Sequence, residues 1–591
     1  MKQFFGAFFG SFVGIIVATL LAVFIVIAVV KSGISSVLSD KTASAVVKEK
    51  SILKIDLEGP INERESENPF KAIAKGSLFE SNNEIGLNGL LAKITSATSD
   101  ININGIYLNF KNPEVGFAAA QEIRTALAAF KAKGKFICAY AEAYSQSAYY
   151  MASVSNTIYL NPQGDLDWKG LNMSLLFFKN TLNKLDVDMQ IFRHGKFKSA
   201  IEPFMLDKMS EANRLQSETF LNSIWSNMLS DIAKSRKIEI SELQKMANDL
   251  RVRFPEDAVG SLIDKTAYED EVLANLKKQL GQKGTDKLNV VSLDKYDVKV
   301  EAKPSRNLPK IAVIYANGSI SSGEGNDDEI GSSTLAKAIR DARTDEKIKA
   351  IVLRVNSPGG SALASDVIWR EVLLAKKSKP FIVSMGNLAA SGGYYISCAA
   401  SRIFAEPNTI TGSIGVFGIM PNIQRMLNNK LGITIDTVNT NLHSDIGTAL
   451  RPLDKKEFEF IQSSVEKVYD TFTKRVAEGR GISQAQVDSI GQGRVWSGSD
   501  ALQIKLVDEL GGLSDAIAFA AKQIKAKDFK VLELPKQKNP LNELLGQKES
   551  ELENKMLKQN LGPVYTYFKQ VKSVLQLKGI QARLPYDIVF Q

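Results

Sequence analysis

Histidine and cysteine are nearly missing from this chain, with two of each among 591 residues. Cys138 and Cys398 lie far apart and form neither a CxxC pair nor a bridge framework, so a disulfide scaffold and a dithiol redox motif are excluded. His194 and His443 are the only imidazoles, no His, Cys and carboxylate ligands cluster in sequence, and no GxxxxGK[ST] loop occurs, so neither metal nor organic cofactor is called for. Long basic runs and basic-aromatic patches are missing as well. The net charge of +9, from 74 Lys and Arg against 65 Asp and Glu, is interspersed, which argues against nucleic acid and suits a nearby anionic membrane. What is present is globular in composition, 44% hydrophobic and 24% charged. At roughly 150 residues per domain, the length allows about four domain equivalents.

One apolar run stands apart. Phe4 to Val30 continues for 27 residues without a charge, and about 20 suffice to cross a bilayer as a helix. A cleaved leader has an apolar region of usually about 7 to 15 residues and ends at small residues. This run is longer and exits into Val30-Lys31-Ser32, so residues 4–30 read as an uncleaved transmembrane anchor. The expected orientation leaves the large remainder outside the cytoplasm, although Lys2 on one side and Lys31 and Lys41 on the other nearly balance.

Sliding the chain against itself by 245 residues aligns residues 103–170 with the second half without a gap. Ile103, Leu108, Pro113, Phe136, Tyr149, Tyr150, Pro162 and Gly170 meet Ile348, Leu353, Pro358, Phe381, Tyr394, Tyr395, Pro407 and Gly415. Within one half, apolar runs at Ile311–Tyr315, Ala350–Val355 and Pro380–Ser384 alternate with helical stretches at Ser332–Arg343 and Ala362–Lys376. The expected fold class is therefore α/β, a mainly parallel sheet under helices, built twice. The chain divides into an anchor at 4–30, an N-terminal repeat at 46–281, a linker rich in Lys, Asp and Pro at 282–309, a C-terminal repeat at 310–536 and an extension at 537–591.

Chemistry belongs where the copies differ. After the run ending at Val355 comes Asn356-Ser357-Pro358-Gly359-Gly360, whose glycines leave backbone N–H groups unobstructed; the first copy has Asn112-Pro113-Glu114-Val115. A second loop, Ala389-Ala390-Ser391-Gly392-Gly393-Tyr394-Tyr395, places a serine at the start of a helix where the first copy has Gln146. Singly, such loops are an ordinary turn and an ordinary N-cap. One strand-helix unit apart in a parallel sheet, they converge on one pocket, and the N–H after the serine is placed to stabilise an oxyanion.

A serine nucleophile needs a base, and neither histidine is well placed by sequence. Phe192-Arg193-His194-Gly195-Lys196-Phe197-Lys198-Ser199-Ala200-Ile201-Glu202-Pro203-Phe204, in the first half, offers lysines instead, and a buried lysine serves as a base near neutral pH. The second half has no lysine near Leu442-His443-Ser444-Asp445. Lys196 and Lys198 both remain open as the base at this point. A substrate bound extended beside Gly359-Gly360 would add main-chain hydrogen bonds to a sheet edge.

Lys198 within Phe-Lys-Ser-Ala-Ile-Glu-Pro-Phe, Ser391 within Ala-Ala-Ser-Gly-Gly-Tyr-Tyr, and Thr411-Gly412-Ser413-Ile414-Gly415-Val416-Phe417-Gly418 together resemble the long, tandem form of the bacterial signal peptide peptidase SppA (protease IV) family. The resemblance implies a crotonase-like and ClpP-like fold and a Ser/Lys dyad that cleaves signal peptides left in the membrane after preprotein processing. It implies Ser391 as nucleophile, Lys198 as general base, Ser413 as the hydroxyl orienting the lysine, and N–H groups of Gly360 and Gly392 as the oxyanion hole. It further implies a bowl-shaped homotetramer on the bacterial inner membrane with its catalytic region on the periplasmic side. Two alternatives are an acyl-CoA hydratase or hydrolase, which would place carboxylates in the pocket, and a silent membrane scaffold.

Overall fold

The structure, a computed structural model, describes residues 47–65, 85–282, 287–297, 308–537 and 579–584. The expected anchor at 4–30 and most of the expected extension lie outside the described residues. Among the described residues, no helix is long and apolar enough to cross a membrane.

The first half runs β1 (Ser51–Asn62), β2 (Ile103–Glu114), α1 (Phe117–Ala132), β3 (Phe136–Tyr144), α2 (Gln146–Ala152) and β4 (Thr157–Leu166), followed by β5 (Asp188–Arg193) and the long α3 (Glu211–Arg236). The second half runs β6 (Lys310–Asn317), β7 (Ile348–Ser357), β8 (Gly359–Ser361), α4 (Ala362–Lys376), β9 (Phe381–Ala390), α5 (Gly392–Ser397), β10 (Ile410–Gly412), β11 (Phe417–Asn422) and α6 (Lys455–Arg480), and near the chain end comes β12 (Gln581–Arg583). Strands β1-β2-β3-β4 lie side by side in one parallel sheet and β6-β7-β9-β10 in another. The 245-residue offset recurs in the elements: β2 and β7 begin at Ile103 and Ile348, α1 and α4 at Phe117 and Ala362, β3 and β9 at Phe136 and Phe381. The expected tandem α/β fold is therefore present.

Local chemistry accounts for the elements. In β7, Ile348, Ile351, Val352, Leu353 and Val355 are all buried, the continuous apolar run of a strand covered on both faces. Helix α4 starts where Ser361 Oγ accepts the Ala364 N–H at 3.3 Å, and buries Ala364, Ile368, Trp369, Val372 and Ala375 on one face. A capping box of Asp454 and Glu457 starts α6, and Gly481 at φ 65° ends it.

A third sheet joins the halves. Its order is Glu329–Gly331, Ser319–Ser321, β8, β12, β11 and β5. Strand β5 of the first half runs antiparallel to β11 of the second, from Asp188 against Asn422 to Arg193 against Phe417. The middle of the expected linker also has regular structure: Val290–Ser292 pairs in parallel with β1, because Val291 is an apolar residue that the edge of that sheet can bury. Beneath the sheets, Arg354 of β7 reaches across the halves. Its guanidinium donates to Glu63 at 2.8 Å, to Glu122 at 2.5 Å and to Ser384 Oγ at 2.9 Å, and all three charged groups are buried. Burial pushes Glu122 up, against the pull of Arg354.

Candidate active site

Ser391 is fully buried at the turn from β9 into α5, with φ 55° and ψ −112°. A side chain other than glycine in that region is strained, and such strain persists where surrounding contacts impose it. Here Ser391 N–H donates to Gly412 O at 2.8 Å and Tyr395 N–H donates to Ser391 O at 2.8 Å. The hydroxyl does not cap its own helix, so the ordinary N-cap reading does not describe it. Ser391 Oγ lies 2.9 Å from Lys198 Nζ and 3.3 Å from Gly415 O.

Lys198 follows β5 and is 1% exposed. Its Nζ also lies 3.1 Å from Ser413 Oγ and 3.4 Å from Ser413 O. Burial holds the amine well below the ordinary lysine value. Lys196, two residues earlier, is exposed and lies over the Phe197 ring, so the two lysines do not share an environment. His194 bonds Glu466 and His443 bonds Glu457, both on α6, and neither histidine is bonded to Ser391.

The lysine reaches the serine through a passage lined by glycine. A Cβ on Gly493 would stand 2.6 Å from Lys198 N, and one on Gly415 would stand 2.7 Å from Gly493 Cα and 3.3 Å from Lys198 Cδ. Gln216 of α3 then fixes the segment. Its amide donates to Phe197 O at 3.1 Å and Ser199 Oγ at 3.0 Å, while its oxygen accepts the Val495 N–H of the second half at 3.2 Å. Glu202, buried, accepts from Ser210 Oγ at 2.6 Å and Asn213 Nδ2 at 2.9 Å and holds the next turn onto α3. Sequence reasoning gave no role to Gln216, Glu202 or Gly493; the Glu-Pro within the lysine motif was the signal for Glu202, and the other two carry none.

Gly359 and Gly392 meet on the other side of Ser391. A Cβ built on Gly359, at φ 92°, would stand 2.6 Å from Gly392 N, so glycine is required for this close approach. Gly360, next along β8, is paired with Ile320 and Ala582. Both cysteines are buried, and burial pushes each thiol up to about 12, outside any reactive range. Among the described residues, the grouping closest to metal-ligand chemistry is His443, Asp454 and Glu457, but both Glu457 oxygens already accept from Arg451.

Comparison with known proteins decides the family. The model of peptidase family S49 matches residues 129–283 and again 374–527, once per half. The chain belongs to peptidase family S49. A model of Clp protease matches residues 304–411, in keeping with a ClpP-like α/β fold. Protease 4 of Salmonella typhi is 38% identical over 81% of this chain and 79% of its own length. Protease 4 of Haemophilus influenzae is 38% identical over 72% of this chain and 71% of its own. The chloroplastic serine protease SPPA of Arabidopsis thaliana is 33% identical over 74% of this chain and 66% of its own. As a family S49 member, this protein is a serine peptidase.

Proposed function

We propose that this S49 peptidase is a membrane-anchored endopeptidase in which Ser391 is the nucleophile and Lys198 the general base, and that it degrades residual signal peptides after their release from preproteins. One observation carries the reading: two fully buried side chains, one from each half, stand 2.9 Å apart as Oγ and Nζ within a single chain. Neutral Lys198 takes the hydroxyl proton as Ser391 Oγ attacks a peptide carbonyl, and N–H groups of Gly360 and Gly392 stabilise the oxyanion. The lysine then gives the proton to the leaving amine, and an acyl-enzyme remains. Water, deprotonated by the same amine, hydrolyses the ester and frees Ser391. Ser413 Oγ, at 3.1 Å, aims the amine at the serine.

The uncharged run at 4–30 supports an anchor in the bacterial inner membrane, with the peptidase on the periplasmic side. A homotetramer follows from the family resemblance, and the dyad does not require it. The groups that bond Lys198 Nζ are two hydroxyls and a carbonyl, those of Ser391 and Ser413, where the thioester reading calls for carboxylates. Hydrolysis of a fluorogenic apolar peptide by wild type, Ser391→Ala, Lys198→Ala and His194→Ala tests the proposal. Loss in the first two variants with survival of the third is expected; survival of Lys198→Ala would overturn it.

A further inference from the structure

The backbone on which the lysine amine and its hydroxyl partner both depend is set by one short loop, residues 491–494. Gln492 O accepts the N–H of Phe197, the residue before Lys198, at 3.0 Å. Gly493 packs on the Lys198 backbone and donates its own N–H to Ile414 O at 2.7 Å, and Arg494 O accepts the Ser413 N–H at 2.7 Å. The loop is not a relaxed one. Gln492 at φ 53° and Gly493 at φ 85° put two consecutive residues in the left-handed region, and only the second is a glycine. Such a conformation persists where surrounding contacts impose it.

The contact that imposes it comes from α6. The Tyr469 hydroxyl donates to Asp488 Oδ1 at 2.6 Å and accepts the Gln492 N–H at 3.1 Å. Because Asp488 takes the phenol proton, an oxygen lone pair is left to face the loop. The Tyr469 ring is buried, and the His194 ring stacks on it with centroids 3.7 Å apart while His194 Nδ1 bonds Glu466 on the same helix. The ring is thus clamped and its hydroxyl aimed.

The other copy of this arrangement lacks one half of it. Helices α3 and α6 begin at Glu211 and Lys455, 244 residues apart, and at that offset Arg236 pairs with Asp264 as Arg480 pairs with Asp508. The same offset matches Trp225 to Tyr469 and Gln244 to Asp488. Trp225 Nε1 donates to Gln244 Oε1 at 2.7 Å, so the first bond is repeated. An indole N–H donates but cannot accept, so the first half has no counterpart of the bond to the Gln492 N–H. The accepting hydroxyl occurs only in the half where the loop supports the reactive groups.

We infer that Tyr469, oriented by Asp488, is a positioning residue for the dyad: it fixes the loop at 491–494 and, through that loop, the places of Lys198 Nζ and Ser413 Oγ. The inference rests on the Ser391/Lys198 reading of the site. Without the hydroxyl the loop relaxes, the amine leaves its aim at Ser391, and water reaches it and favours its charged form.

Peptide hydrolysis by the full chain, followed as kcat and KM across pH, tests this in Tyr469→Phe. The expected result is a kcat lower by about tenfold or more with KM unchanged, and an acid limb moved to higher pH. Asp488→Ala should behave alike, whereas Asp488→Asn keeps an acceptor for the phenol and should restore both kcat and the limb. Gln244→Ala breaks the matching bond of the first half and should leave both at wild-type values. Wild-type kcat in Tyr469→Phe, or a lower kcat with the limb unmoved, would overturn the inference while Ser391→Ala remains inactive and the dyad stands. If Tyr469→Phe does not fold, the two Asp488 variants decide, and equal profiles for them would overturn it. Turnover that survives Ser391→Ala would instead sink the dyad on which the inference rests.

Discussion

Gln146 and Ser391 occupy the same position in the two halves of the molecule, and the difference between them separates scaffold from chemistry. In the first half, Gln146 closes on Gly170: its Nε2 donates to Gly170 O at 2.9 Å and its Oε1 accepts the Gly170 N–H at 2.9 Å. Gly170 corresponds to Gly415, and in the second half Ser391 Oγ faces Gly415 O at 3.3 Å with space left for Lys198. The turn differs as well. Ser145 has an ordinary extended backbone and caps α2 through its side chain, whereas Ser391 is held at φ 55° with its hydroxyl free of the helix. The same strand-turn-helix unit thus either satisfies itself or leaves a polar side chain aimed at a partner from the other half. Duplication supplied the sheets; the site required a short side chain, paired glycines and a lysine from elsewhere.

The strongest way to sharpen the contrast is to write the first half into the second. Ser391→Gln should lower kcat for peptide hydrolysis by about four orders of magnitude or more, while urea unfolding stays cooperative. Retained turnover would mean that the nucleophile is elsewhere. Next in size is the joint between the halves: Arg354→Met strands Glu63 and Glu122 in the interior, and removing one partner of a buried ion pair costs about 3–5 kcal/mol. A chemical denaturation midpoint unchanged by this substitution would show that the halves do not depend on it.

Lys198 gives a smaller effect of opposite sign. Its folded value lies below the ordinary lysine value, so between the two the unfolded chain holds a proton that the folded chain lacks. Wild-type stability should rise with pH across that window. Lys198→Met should therefore stabilise the protein, by a margin that shrinks about 1.4 kcal/mol per pH unit as pH climbs toward about 10.4. A pH-independent difference would argue that the amine is charged in the folded state. Last, Gln146→Ala removes two hydrogen bonds, and should cost about 1–2 kcal/mol of stability with kcat unchanged.

Much of this was legible in the sequence, because the repeat offset and the β-α-β rhythm depend on buried apolar residues whose spacing the fold dictates. Ser391, Gly392 and Gly359 were visible as departures of one copy from the other. Lys198 was visible through its motif, but its separation from Lys196 was not, since groups that surround Lys198, among them Gly493 and the Phe417 ring 6.0 Å from its Nζ, are far away in the chain. The third sheet was not legible at all. β8, β12 and the strand at Ser319–Ser321 have three residues each, too few for periodicity, and their partners come from both halves and from the chain end. The strand at Val290–Ser292 was hidden in the same way by charged neighbours.

The central claim is that a neutral, buried Lys198 activates Ser391 across the two halves. Its most direct test is the rate at which a fluorophosphonate labels Ser391 as a function of pH, in wild type and in Lys198→Ala. The account predicts a wild-type rate that rises along an acid limb and levels off well below the ordinary lysine pH range, and a Lys198→Ala rate lower by about a hundredfold or more. Equal labelling of the two proteins, with the same pH dependence, would contradict it.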